Sequence, residues 1–181
     1  VREINSGILA VEGAFLAPAL SRLTPHNAQG ELYLTDIVGI AVDDGLPVGA
    51  HVLEDVWQTE GVNDRAQLAR LARELNRRIT DHWMHEGVTI VDPATTWIDS
   101  DVTLAPDVTV LPGTQLLGAT SVATGATIGP DTTLRNVEVG PGATVVRTHG
   151  SDAVIGPEAT AGPFAYLRPG TELGACLLYT S

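Results

Sequence analysis

The sequence predicts an α/β segment, a long connecting helix, and then a parallel β-helix built from hexapeptide repeats. The β-helix is predicted by an aliphatic residue that returns every sixth position between residues 97 and 174. A period of six fits neither a helix nor a hairpin, but it fits one short strand and one turn per hexapeptide. The series is Ile98, Leu104, Val110, Leu116, Val122, Ile128, Leu134, Val139, Val145, Ile155, Ala161, Leu167 and Leu173. It slips by one residue after Leu134, and we expect an insertion at residues 147–150.

A second periodic set supports the same fold. Small or β-branched residues stand four positions after most members of the series: Val102, Val108, Thr114, Thr120, Ala126, Thr132, Ala143, Ala159, Ala165 and Thr171. We expect the aliphatic side chain to fill a narrow interior with the small one beside it, while Gly, Pro and Asp form the corners. Each coil of roughly eighteen residues buries its apolar side only when stacked on the next coil, at about 4.8 Å. The alternative is a β-sandwich, whose strands recur at roughly 8–12 residues instead.

The first sixty residues predict strand, helix, helix and strand in that order. Residues 2–11 and 48–53 are aliphatic-rich and predict strands. Apolar residues at helical spacing predict one helix before Thr24-Pro25 and a second that opens within residues 27–36 and ends at Asp44-Gly45. The second helix is expected to bury Leu34, Ile37, Val38 and Ala41. This order is typical of the end of a larger α/β sheet domain.

Residues 60–65 predict a turn that feeds a long helix ending near His85. The helix is predicted to carry one apolar stripe along a charged rod, formed by Leu68, Leu71, Ala72, Leu75 and Ile79. Asp64 followed by Gln67 predicts a start that resembles a capping box.

Composition excludes several classes of protein. The net charge of −12 argues against a nucleic-acid partner, because such partners require clustered basic residues. No stretch of 18 apolar residues or basic-then-apolar leader is present, so we expect no membrane partner and a cytoplasmic protein. The single cysteine, Cys176, excludes an internal disulfide. The sequence at both ends of the chain predicts that it is an internal segment of a longer protein. Residues 176–181 resemble a translated sequencing adapter.

Four motifs resemble one family. Residues 3–8 (EINSGI), the segment 27–36 and residues 60–65 (EGVNDR) resemble the end of a sugar-nucleotide pyrophosphorylase domain. Residues 162–170 (GPFAYLRPG) resemble a hallmark of hexapeptide acetyltransferases. Together they resemble the bacterial bifunctional N-acetylglucosamine-1-phosphate uridyltransferase/glucosamine-1-phosphate N-acetyltransferase. The resemblance implies a Rossmann-like nucleotidyltransferase domain and a left-handed β-helix, although crossovers between parallel strands are usually right-handed.

The resemblance also implies roles for three residues. Asn5 matches an asparagine that binds the N-acetylglucosamine moiety, and Asn63 matches one that binds Mg²⁺ and the nucleotide sugar. Arg168 matches an arginine that binds the phosphate of the acetyl acceptor. From the residues alone, the alternatives are a turn or helix-cap asparagine and a solvated corner arginine. No residue is assigned a catalytic role.

Other residues are assigned to weaker or structural roles. Glu31, Tyr33 and Thr35 are expected to form walls of the sugar site, and His149 is expected to be a loop histidine in the insertion. The Gly-rich nucleotide loop, the second metal ligand, the general-base histidine and the acetyl-CoA coils have no counterpart in the sequence. We therefore expect this chain to be inactive by itself.

The predicted function is two steps of UDP-N-acetylglucosamine synthesis for the cell wall, with Mg²⁺ as cofactor and acetyl-CoA and UTP as co-substrates. Residues 1–62 are predicted to end the uridyltransferase domain, 63–86 to form a linker helix, 87–174 to begin the acetyltransferase domain, and 175–181 to be a non-native tail. The resemblance further implies a homotrimer formed through the β-helix. The alternatives are a different sugar-phosphate nucleotidyltransferase with a β-helical tail and a non-catalytic trimerising solenoid.

Overall fold

The computed structural model describes residues 5–26 and 28–180 and divides the chain into two compact units. The first unit is Val1–Val62 and the second is Asn63–Ser181. The first contains helices α1 (Gly13–Leu20) and α2 (Asp36–Asp43) and a 3₁₀ turn (Val56–Thr59). The second contains helix α3 (Arg65–His85) and every strand found among the described residues. None of the described helices is both long and apolar enough to cross a membrane.

Both helices predicted in the first unit are confirmed, and they pack together through Ala19, Ile37 and Ala41, which are buried. Leu34 and Val38 remain exposed, so the buried stripe of α2 is narrower than predicted. The two predicted strands are wrong over the described residues, since residues 5–12 and 46–53 form no strand. An extended segment becomes a strand only when a neighbour satisfies its backbone groups, and the described residues of this unit provide none. Residues 2–4 and Asn27 lie outside the described residues.

Helix α3 begins as predicted. The Asp64 side chain accepts a hydrogen bond from the Gln67 backbone N–H at 2.7 Å, and the Gln67 amide oxygen accepts one from the Asn63 N–H at 2.6 Å. The Gln67 N–H, an orphan donor of the first turn, is thus satisfied, and the Gln67 side chain reaches back to the residue before the N-cap, so the start resembles a capping box.

The predicted apolar stripe of α3 is only partly buried. Leu68 and Leu75 are 55% and 58% exposed, whereas the buried residues of the helix are the polar Asn76 and Thr80. Ile79 and Trp83 pack against the core of the β-helix. The helix therefore contributes to the core through its C-terminal half, where it reaches the first coil.

Within the described part of the chain, sixteen short strands wind into a parallel β-helix of about five turns with three faces, which confirms the predicted β-helix and is consistent with a left-handed helix. Sheet A consists of β1 (Thr89–Ile90), β4 (Thr109–Val110), β7 (Thr127–Ile128), β10 (Thr144–Val145), β13 (Thr160–Ala161) and β16 (Leu178–Tyr179). Sheet B consists of β2 (Trp97–Ile98), β5 (Gln115–Leu117), β8 (Thr133–Arg135), β11 (His149–Ser151) and β14 (Tyr166–Leu167). Sheet C consists of β3 (Thr103–Leu104), β6 (Ser121–Val122), β9 (Glu138–Val139), β12 (Val154–Ile155) and β15 (Glu172–Leu173).

Every predicted member of the aliphatic series points into the core. In sheet B, for example, Ile98 pairs with Leu116, and Leu116 with Leu134. The small residues four positions later are also buried, except for the half-buried Thr171. This confirms the alternation of a large and a small interior side chain that the period of six predicted.

The predicted insertion at residues 147–150 is wrong. Gly150 lies in β11, opposite Leu134 on one side and Leu167 on the other, so it occupies an interior position of the series. The coil is shortened rather than interrupted, because the interior residues Val145, Gly150 and Ile155 follow at steps of five. A β-carbon on Gly150 would lie 3.3 Å from Leu134 Cδ2 and 3.4 Å from Leu167 Cβ. The two leucines therefore fill the space that an aliphatic side chain takes in other coils, and a period of six aliphatic residues does not reveal a glycine at this position.

Candidate functional site

The predicted sugar-binding residue, Asn5, lies in a turn of the first unit. Its side-chain oxygen accepts a hydrogen bond from the Gly7 N–H at 2.9 Å, and Gly7 has a φ of +78°. A glycine tolerates this left-handed conformation without the steric cost of a β-carbon. The turn role that the residues alone suggested for Asn5 is therefore present.

The predicted metal ligand, Asn63, is exposed and immediately precedes the N-cap of α3. The cap is Asp64 rather than Asn63, and Asn63 contributes only its backbone N–H to the helix start. In the part of the chain that the structure describes, the Asn63 carboxamide has no hydrogen-bond partner. Its oxygen can therefore take an external ligand.

A magnesium ion fits Asn63 only as one of several ligands. Mg²⁺ requires an octahedron of oxygens and is usually held by one or two carboxylates together with substrate phosphates and water. No group of three or more His, Cys, Asp or Glu within residues 5–26 and 28–180 is arranged to hold a metal. A magnesium site that included Asn63 would take one amide oxygen from this chain, and its remaining ligands would have to come from substrate, water or other residues.

The predicted phosphate ligand, Arg168, follows β14 on sheet B. Leu167 points into the core and is 1% exposed, so Tyr166 and Arg168 on either side of it point outward. The Arg168 carbonyl accepts the Thr171 N–H at 3.0 Å, which holds the turn that follows. The guanidinium is exposed and has no ion pair or hydrogen bond to any described residue.

His149 is not the predicted loop histidine, because it belongs to β11. Its ring stacks on Tyr166 of the next coil, with ring centroids 5.7 Å apart and an interplanar angle of 17°. His149 and Tyr166 lie on the outer face of sheet B, and Tyr166 stands two residues before Arg168 on the same face. Reading the interior series through Gly150 would have revealed this pair.

The structure does not bring Asn63 and Arg168 together. Asn63 precedes α3, and the strands that α3 packs against are β1 and β2 of the first coil. Arg168 adjoins β14, four strands from β2, or about 19 Å along the β-helix. The second unit thus carries two separate candidate sites.

The short parallel strands, the three faces and the interior series define the second unit as a hexapeptide-repeat β-helix. No family model matches the chain. It is 63% identical over 174 residues to the bifunctional protein GlmU of Pseudarthrobacter chlorophenolicus, covering 96% of this chain and 35% of that protein. The GlmU proteins of Paenarthrobacter aurescens and Rhodococcus jostii are 62% and 61% identical, over 174 and 175 residues. They cover 96% and 97% of this chain, which spans 35% of each.

The chain thus spans about a third of the length of the curated relatives that it matches. Over nearly its whole length the chain is similar to one segment of these GlmU proteins.

Proposed function

We propose that this chain is part of a bifunctional cytoplasmic enzyme of UDP-N-acetylglucosamine synthesis. The enzyme acetylates glucosamine-1-phosphate with acetyl-CoA and then transfers a uridylyl group from UTP to N-acetylglucosamine-1-phosphate. The observation that carries the proposal is the high identity to proteins named bifunctional GlmU across both units of the chain. It is supported by a hexapeptide β-helix that presents Arg168 on its surface.

In the acetyl-transfer step, Arg168 binds the phosphate of the acceptor. Its planar guanidinium donates two parallel hydrogen bonds to phosphate oxygens, which a lysine ammonium cannot reproduce. The side chain is exposed and without an acidic partner in the described chain, so binding a phosphate does not require breaking an existing ion pair.

In the uridylyl-transfer step, Asn5 binds the acetamido sugar and Asn63 binds Mg²⁺ and the nucleotide sugar. When bound, Mg²⁺ neutralises the charge that develops on the phosphates during displacement. Each asparagine contributes positioning, Asn5 of the sugar and Asn63 of the metal, because such transfers depend chiefly on positioning and electrostatics.

The same proposal includes the domain limits and the assembly. Residues 1–62 belong to the uridyltransferase domain, 63–86 to the linker helix, 87–174 to the acetyltransferase domain, and 175–181 to a non-native tail. The β-helix forms a homotrimer, with small molecules as its other partners.

The decisive experiment replaces the corresponding segment of the P. chlorophenolicus protein with residues 5–174 of this chain. The chimera should retain both activities, measured as coenzyme A release and pyrophosphate release. Loss of uridylyl transfer alone would favour a different nucleotidyltransferase, whereas a folded chimera lacking both activities would favour a non-catalytic solenoid.

Two substitutions in the chimera separate the sites. Asn63→Ala should weaken the magnesium dependence and rate of uridylyl transfer and leave acetyl transfer intact. Arg168→Ala should raise the KM for glucosamine-1-phosphate by roughly 10- to 100-fold, since a hydrogen bond to a charged group contributes about 1.5–3 kcal/mol. Each variant is the control for the other, and an effect on the opposite activity would contradict the assignment.

A further inference from the structure

The β-helix contains few cationic side chains, and only some of them lie near an acidic residue. Residues 87–180 contain three arginines, Arg135, Arg147 and Arg168, and no lysine. Arg147 lies 3.6 Å from the Asp131 carboxylate. Arg135 and Arg168 have no ion pair or side-chain hydrogen bond to any residue in the ranges 5–26 and 28–180. In a chain of net charge −12, two guanidinium groups without acidic partners on one sheet require an explanation.

The register of sheet B places these two arginines in one column. On one side, Ser151 pairs with Arg135. On the other side, Gly150 pairs with Leu167, and continuing this register by one residue sets Ser151 opposite Arg168. Neighbouring strands are about 4.8 Å apart, so the two arginine backbones are separated by roughly 10 Å with Ser151 between them. Two side chains as long as arginine can reach one ligand over Ser151 from opposite sides.

The second outward column of sheet B adds a third group. His149 is two residues from Ser151 on the same strand face, and its ring is stacked on Tyr166, two residues before Arg168. The stack restricts the imidazole and keeps it beside the arginine column. The nearest acid along β11, Asp152, accepts a hydrogen bond from the Asn136 amide at 3.0 Å, at the following corner.

We propose that Arg135, His149 and Arg168 form a single binding face for a phosphate monoester over Ser151, with Tyr166 positioning the imidazole. The inference deepens the proposed function, because the occupant would be the sugar phosphate assigned to Arg168 alone. A phosphate monoester carries nearly two negative charges at neutral pH and three strong acceptor oxygens. Several converging donors match it better than one guanidinium.

The test uses the chain itself and follows its five histidine side chains by NMR during titration with glucosamine-1-phosphate or inorganic phosphate. His149 is assigned from the resonance lost in His149→Gln. We expect saturable shifts of the His149 ring with both probes. The Kd from the His149 ring should rise roughly 10-fold or more in Arg135→Gln and Arg168→Gln, as expected for loss of a charge-assisted hydrogen bond. In His149→Gln, where this ring is missing, the backbone amide shift of Ser151 replaces it as the readout, and the Kd should rise by a similar factor.

Two controls separate binding from structure. Arg70→Gln, on the exposed side of α3, should leave the Kd unchanged. The melting temperature of each sheet B variant should match that of the parent, because no core residue changes. Tyr166→Ala should weaken binding and release the His149 ring, whereas Tyr166→Phe should preserve both.

The outcomes distinguish this inference from the proposed function. If only Arg168→Gln weakens binding, the shared face is refuted and Arg168 keeps its assigned role. The absence of any saturable shift refutes the shared face as well. If all three variants weaken phosphate binding but Arg168→Ala leaves acetyl transfer by the chimera unaffected, the face exists and the assigned role of Arg168 fails.

Discussion

At the scale of single residues, the Asn76 side chain makes the hydrogen bonds to the first coil that a neighbouring strand would otherwise make. Its side-chain N–H donates to the Thr96 carbonyl at 2.8 Å, and its oxygen accepts the Ile98 N–H at 3.1 Å. β2 is the terminal strand of sheet B, so these backbone groups have no neighbouring coil. Burying them without partners would be costly, which explains a polar residue on the inner side of an otherwise apolar helix contact.

We therefore expect Asn76→Leu to lower the free energy of unfolding by about 2–4 kcal/mol, because two buried backbone groups lose their partners. Urea denaturation followed by circular dichroism would measure it. Arg73→Ala, on the exposed side of the same helix, should change stability by less than about 0.5 kcal/mol. Equal stability of Asn76→Leu and the parent would contradict the role of Asn76.

Gly150 provides a second test at this scale. Replacing it with Leu would give this strand an aliphatic interior residue like those of the other strands, yet the neighbouring leucines already fill the site. Overpacking of this kind typically costs about 1–3 kcal/mol, so Gly150→Leu should lower the melting temperature. The compensating double variant Gly150→Ala/Leu167→Val should melt closer to the parent. A melting temperature of Gly150→Leu above that of the parent would show that the interior has spare volume.

At the scale of secondary-structure elements, α3 carries a compact charge cluster. Glu74 binds Arg77 at 2.9 Å and Arg78 at 2.7 Å, and Arg77 also binds Asp81 at 2.6 Å. Hydrogen bonds from Arg77 and then Arg78 lower the pKa of the Glu74 carboxyl from 4.5 to about 2. These pairs at i,i+3 and i,i+4 stabilise the helix segment next to Asn76.

Because the pKa of Glu74 is lower in the folded state, its stabilisation is present above pH 4.5 and is lost as the pH falls towards about 2. Glu74→Gln should therefore melt at a lower temperature than the parent at pH 7, with the difference shrinking between pH 4.5 and 2. Thermal melts across this range would test it, with Glu138→Gln in β9 as the control. A difference that persists unchanged at pH 2 would exclude the ion pairs as its cause.

At the scale of the whole molecule, the two units differ in how much apolar surface they bury. The main core cluster runs from Val88 to Leu173 and draws only on the second unit. The first unit leaves large apolar side chains such as Ile8 and Val52 exposed, at 70% and 60%. Burial of apolar area is the main source of folding free energy, so stability should be concentrated in the second unit.

Residues 63–180 expressed alone should therefore unfold cooperatively, with a melting temperature close to that of the β-helix in the whole chain. Circular dichroism and calorimetry would measure both, and amide hydrogen exchange of the whole chain should be faster in residues 5–62. A non-cooperative melt of residues 63–180 would show that the first unit is required for folding.

The sequence by itself determined the β-helix, because a period of six leaves one interior residue per strand whatever the neighbours are. It also determined α3 and its Asp64–Gln67 start, since capping depends on residues within one turn. Only the tertiary structure decided that Gly150 is an interior residue, because two leucines from other coils fill its place. The same holds for the column of Arg135, Ser151 and Arg168, since lateral neighbours in a β-helix are set by coil lengths that vary from turn to turn. Residues 5–12 and 46–53 have an aliphatic composition typical of strands but form none, because strand pairing depends on a partner outside the segment.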